Sequence, residues 1–299
     1  MGCQMLAVLD TPEEKDAIRK LEQVPGWFDT WEQSLSRFRS SSELSALNAS
    51  YGQPVPVSEI FWQVFEAAEA AEQLSGGLVT PAVLDALEEA GYDRSFDALS
   101  SARGWMPVGL AMPVAPISQV VVDRTMRTLA LPGGLRLDFG GVAKGWAAHQ
   151  AMLRLEKFAP ALMDCGGDIA ISGLMADGAP WPVAVADPFD RASILMTLKL
   201  GRCGVATSGT DHRRWRRADG WNHHIIDPRT GMPALTDIIS VTVIAPSVLE
   251  AEAATKSVLI LGSEEGLSWL EGNPRFSAFV VLENGQQLFS NHFEDHIWS

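Results

Sequence analysis

The spacing of apolar positions divides the chain into short strand-like runs and a few longer helical ones. Residues 5–9 form a purely apolar run that predicts a first strand. Thr11-Pro12-Glu13-Glu14 then has the features of a helix start, with a hydroxyl at the cap, proline at the first helical position and acids in the first turn. Pro25-Gly26 interrupts that helix, and a second is expected over residues 27–38. Over residues 59–74, Ile60, Phe61, Val64, Phe65 and Ala68 share one helical face, with Ser58 as cap and Gly76-Gly77 as terminator. Thr80-Pro81 is expected to cap a short helix that runs to Ala90-Gly91. Residues 100–116, rich in glycine and proline, read as a loop with the character of a lid.

Downstream the period shortens. Strands are predicted over residues 119–123, 127–131 and 135–139, feeding a Gly140-Gly141 turn and a helix over 142–157. Further strands follow at 161–163, 169–171, 182–186, 194–200, 204–206, 240–245, 276–282 and 287–290, the last pair joined by an Asn284-Gly285 hairpin turn. Ser247-Val248-Leu249-Glu250 is a capping box that starts a helix over 248–261. Strand runs between a few long helices predict an α+β fold with mostly antiparallel sheets. No repeat or linker breaks the chain, so a single domain over residues 1–299 is expected.

Composition narrows the function. The chain has 299 residues, 46% of them apolar, which is ample for a core. Its net charge of −14 argues against a nucleic-acid or anionic-membrane surface. No run approaches the ~20 apolar residues of a membrane span, and the first ten residues lack signal-peptide features. The expectation is a cytoplasmic protein as the chain stands, exported if a leader precedes it. Cys3, Cys165 and Cys203 are odd in number and widely spaced, which suggests reduced, buried thiols.

Five stretches bear on candidate chemistry. His223 to Gly231 reads as a strand end entering a turn that holds His224, Asp227 and Arg229 at the mouth of a site. His224 can act as general base or phosphate donor near neutral pH. Asp138 to Gly145 is a strand, a glycine turn and a helix start, with Lys144 adding a cation. Such a turn can cradle a phosphate, and it can equally be needed for folding alone. Thr207-Ser208-Gly209 follows a strand and lets backbone approach a ligand. Gly166-Gly167-Asp168 reads mainly as a tight turn. On the 248–261 helix, Glu252, Thr255 and Lys256 share one face.

These stretches have a fixed order: Ser36-Arg37-Phe38, Ser42-Glu43-Leu44-Ser45-Ala46-Leu47-Asn48, Asp138 to Gly145, Gly166-Gly167-Asp168, Ala206 to Gly209, and His224 to Gly231. As a set they resemble the FAD:protein FMN transferases, the ApbE family, over nearly the whole chain. The resemblance implies two interlocked α/β subdomains and transfer of FMN from FAD to a threonine of an acceptor protein carrying a flavinylation motif, releasing AMP. It implies cofactor contacts from Met1, Leu78, Val79, Thr80, Asp138, Lys144, Ser208 and His224. Gly141, through its carbonyl, Glu252 and Thr255 are the expected Mg2+ ligands, and His224 and Lys256 the expected catalytic groups. The Arg213, Arg214, Arg216 and Arg217 cluster around Trp215 is assigned to a solvated loop near the adenine end of FAD or the acceptor.

Two departures weigh against a simple transfer of the family's properties. Glu252 and Lys256 stand where the family usually has Asp and Thr, and an ammonium cannot ligate a metal. Thr80 stands where the family has an Asp lining the flavin pocket. A modified site is therefore expected, with Lys256 replacing part of the ion's charge and pairing with Glu252. The rival readings are a non-catalytic flavin-binding protein and a metal-dependent FAD hydrolase.

Overall fold

Seven strands, all joined antiparallel, make the main sheet: Met5–Leu9, Ala161–Cys165, Asp168–Ile171, Cys203–Gly209, Ile238–Ala245, Ser277–Leu282 and Gln287–Phe289, in that spatial order. The computed structural model describes residues 3–100, 112–190, 192–217, 220–290 and 292–298. Met1 and residues 101–111 of the expected lid lie outside them. By internal contacts the chain forms two units: Asp29–Ala143 with His212–Leu235, and Cys3–Phe28, Lys144–Asp211 and the residues from Thr236 onward.

The second unit holds the seven-stranded sheet. The helix Val248–Glu271 packs on the strands Cys203–Gly209 and Ile238–Ala245. Ser247 caps it by accepting from the Glu250 N–H at 3.2 Å, as the capping box predicts. The approach is close enough that a Cβ on Gly204 would collide with the backbone of Ser247 and Val248. A separate hairpin, Trp181–Ala186 with Ile194–Leu200, turns Trp181, Val183 and Val185 inward against Leu198, Phe279 and Phe293.

The first unit is built on the helices Glu43–Asn48, Glu59–Leu74 and Leu84–Glu89 and a small sheet of Val55–Pro56, Thr128–Ala130 and Val121–Asp123. Two short hairpins follow, Arg214–Arg217 with Gly220–His223, and Ile226–Asp227 with Met232–Pro233. Ala86, Leu87, Ala90, Tyr92, Trp215 and Ile226 form a buried cluster that fixes them.

Several expected elements differ. Residues 135–139 join no strand; at Leu137 the Asn48 amide takes the partner's role, donating to the carbonyl and accepting the N–H, both at 2.8 Å. Pro25-Gly26 sit inside the first turn of the helix Val24–Leu35, where an N–H has no helical acceptor to lose. Thr80 caps no helix: its hydroxyl accepts from Ala82 N–H, and the helix begins at Leu84 with no side-chain cap. Thr207 to Gly209 continue a strand instead of following one. The long helix runs to Glu271, passing a kink at Gly262 (φ 81°) where the Asp237 carboxylate accepts from the Ser263 N–H at 2.9 Å and restarts it. The arginine cluster is a hairpin strand and not an irregular loop, because Trp215 buries its ring beside Tyr92 and donates to the Ala90 carbonyl at 2.9 Å.

Candidate functional site

In the second unit, four charged side chains meet on the long helix and the two segments beside it. Glu252 is almost wholly buried, with 1% of its side chain exposed. Its Oε1 lies 3.0 Å from the Lys256 ammonium and 3.4 Å from that of Lys144, and its Oε2 accepts from the Gly145 N–H at 3.0 Å. Gly145 makes this possible: a Cβ there would stand 2.6 Å from Oε2. Burial alone would raise the Glu252 carboxyl pKa, but Lys256, Lys144 and the Gly145 N–H outweigh it and hold the group below the usual carboxylate range. Lys144 also pairs with Asp168, whose other oxygen, Oδ1, is buried without a hydrogen-bond partner among the described residues.

Asp168 does not shape a turn as its sequence context suggests. It opens a strand, is 1% exposed and faces Lys144. The turn before it is made by Gly166 and Gly167 (φ 68° and 93°), with Gly167 N–H donating to Asp164 at 2.7 Å. Burial pushes the Asp164 carboxyl pKa up against the Gly167 and Gly166 N–H groups and Lys144. Ser208 and Thr255 share a hydroxyl hydrogen bond of 2.9 Å, and Thr255 Oγ1 donates to the Glu252 carbonyl. The free thiols of Cys165 and Cys203 have their pKa raised by burial, that of Cys203 to about 12, so neither is a nucleophile at neutral pH.

The first unit holds the remaining expected contacts. Asp138 accepts from Arg37 Nε at 2.8 Å and from the Gly140 N–H at 2.8 Å. Arg37 is gripped in turn, lying over the Phe38 and Tyr92 rings and donating to the Tyr92 carbonyl. Gly141 is partly exposed in the turn that follows. Val79 and Thr80 are buried, while Leu78 is half-exposed. His224 is half-buried between the two short hairpins. In the neighbouring His223, Nε2 donates to the Ala234 carbonyl at 3.0 Å and Nδ1 accepts from the Ile225 N–H. Burial lowers its pKa, against that carbonyl bond. Asp227 accepts both the backbone and the guanidinium N–H of Arg229, so the pair staples the turn.

The donor set does not suit a divalent cation as the family resemblance implies. Mg2+ prefers oxygen ligands at about 2.0–2.1 Å. Both Glu252 oxygens here receive N–H donors, and two ammonium groups stand where such an ion would be repelled. Thr255 alone of the expected side-chain ligands keeps its oxygen clear of a cation.

Sequence reading found Glu252 and Lys256 from helical spacing and Lys144 from the glycine turn. It missed Arg37 as the partner of Asp138, Asn48 as a backbone partner and Asp168 as a buried anion. Each appeared within a recognised motif, but their partners lie 101, 89 and 24 residues away, counting 138 − 37 for the first.

The model of the ApbE family matches residues 1–280. An FAD:protein FMN transferase of Treponema pallidum is 32% identical over 295 residues, covering 93% of this chain and 81% of that protein. One from Vibrio cholerae is 27% identical over 256 residues, covering 80% and 72%. Among solved structures, an ApbE protein of Thermotoga maritima shares the fold with a TM-score of 0.82 at 22% identity, over 99% of this chain and 100% of that one. The flavin transferase ApbE of Vibrio cholerae gives 0.77 at 23%, over 99% and 96%. At these identities the structural likeness speaks to fold alone. With a family match across nearly its full length, the chain belongs to the ApbE family.

Proposed function

We propose that this chain is a flavin transferase that moves FMN from FAD to the hydroxyl of a threonine in an acceptor protein, releasing AMP. The observation that carries the reading is its likeness over 93% of its length to an FAD:protein FMN transferase. The whole chain, residues 1–299, acts as one such catalytic unit. The reaction is a phosphoryl transfer, whose demands are alignment of the acceptor oxygen with the FMN phosphorus and neutralisation of charge on the phosphate oxygens and the departing AMP. Lys144 and Lys256 are the cations for that charge, held by Asp168 and Glu252. Asp138, fixed by Arg37, and Ser208, on Thr255, are cofactor contacts, with Leu78 the flavin-pocket residue among 78–80. His224 is the acid/base or positioning group.

A second reading, a flavin-binding protein without turnover, is favoured by one observation: Lys256 sits on the carboxylate expected to serve a metal. Incubating the protein with FAD and an acceptor carrying a flavinylation motif, then measuring AMP and acceptor mass, separates the readings. A threonine that gains FMN with equimolar AMP supports the transferase. FAD binding without AMP supports the carrier, and AMP and FMN release without labelling supports a hydrolase.

A further inference from the structure

We propose that Lys256 is a built-in cation that makes this site independent of divalent metal. Three features of the second unit converge on it. Lys256 and Glu252 are one helical turn apart on Val248–Glu271, and the pair is enclosed, with side chains 14% and 1% exposed. A surface ion pair of this spacing would be incidental; one in which the carboxylate is sealed from water is part of the architecture. The carboxylate is also fully engaged: Oε1 faces two ammonium groups, and Oε2 receives Gly145 N–H at the start of the helix Ala143–Leu155. Finally, Lys144 and Lys256 against Asp168 and Glu252 give two positive and two negative charges, so these four side chains balance one another without an ion.

A divalent ion on Glu252 Oε1 would have to displace Lys256 or sit against two ammonium groups. Lys256 itself retains capacity. Among the described residues its ammonium bonds only Glu252, through Oε1 at 3.0 Å and the carbonyl at 3.4 Å. A third N–H is left for a ligand oxygen. A phosphate ester oxygen is the chemistry that fits it, and the lysine charge then does the electrostatic work otherwise done by a metal. The catalytic half of this inference rests on the flavin-transferase reading; the exclusion of metal does not.

The test uses the full chain as wild type, Lys256→Ala and Lys256→Arg. Binding of Mn2+ is followed by electron paramagnetic resonance, and AMP release from FAD in the presence of an acceptor protein carrying a flavinylation motif is measured with EDTA or with Mg2+. The wild type is expected to bind no Mn2+ and to release AMP equally under both conditions. Lys256→Ala is expected to bind Mn2+, to lose about a hundredfold in AMP release in EDTA, and to recover part of it with Mg2+. Lys256→Arg keeps a cation and stays indifferent to EDTA. Stoichiometric Mn2+ binding by the wild type, or loss of its AMP release in EDTA, overturns the inference and leaves the transferase reading intact. If the wild type releases no AMP under any condition, the transferase reading fails, and Mn2+ binding alone then decides whether Lys256 excludes the metal.

Discussion

Arg37 and Asp138 show how a residue read from a motif gains its meaning from a distant partner. Their side chains are only 6% and 12% exposed, so removing the guanidinium strands a buried carboxylate. Arg37→Ala is expected to cost about 3 kcal/mol in urea unfolding, whereas an exposed pair such as Arg19–Asp16 should contribute too little to detect. His223 carries a pH dependence. Its folded-state pKa lies below the ordinary 6.5, so as pH falls the unfolded chain takes up the proton first. Its contribution is therefore whole above about 6.5 and is lost as pH falls through the folded value. Protonation also removes the Nδ1 acceptor from Ile225 N–H. Urea midpoints for the wild type should drop between those two values, and His223→Gln should give a flatter profile there. Of the two adjacent histidines, the family resemblance singles out His224, while nothing local reveals that the His223 ring finds the Ala234 carbonyl.

At the scale of elements, periodicity located the helices, while bonds across the fold decided where extended segments became strands. The run 135–139 alternates apolar and polar residues as a strand does, but its Leu137 is paired by one side chain, Asn48. Asn48→Ala leaves a buried N–H and C=O of Leu137 unsatisfied, at about 1–3 kcal/mol for each group. Asn48→Asp, which keeps the acceptor, should lose less, and chemical denaturation will rank the two. The junction of strand and long helix is equally specific. Gly204→Ala places a methyl against the backbone of Ser247 and Val248, which cannot yield as a side-chain tip would. A loss of about 3 kcal/mol or more is expected, read as a lower urea midpoint.

For the molecule as a whole, the net charge of −14 meets a substrate that is itself an anion. The lysines of the site are already balanced by Asp168 and Glu252, so the long-range field is repulsive. FAD association should therefore speed up as salt rises from about 0.01 M to 0.15 M, over which the Debye length falls from about 30 to 8 Å. Stopped-flow flavin fluorescence measures this rate directly; a rate that falls with salt would mean the local cations dominate. No helix among the described residues is long and apolar enough to cross a membrane.

What the sequence determined by itself was whatever depends on neighbours along the chain. Ser58 and Ser247 cap their helices through bonds only three residues long, and Glu252 meets Lys256 because one helical turn brings them together. The antiparallel α+β class followed from runs of the right length and period. The tertiary structure alone decided the pairings between remote segments: Lys144 with Asp168, Asn48 with Leu137, Trp215 with Ala90. Such contacts depend on where the sheet carries each segment, and a local pattern of apolar and polar residues holds no record of that. The same reason explains the site. Local spacing gave Glu252 its lysine, but only the packing of the helix Ala143–Leu155, through Gly145, engaged its second oxygen and turned an ordinary helical ion pair into an enclosed one.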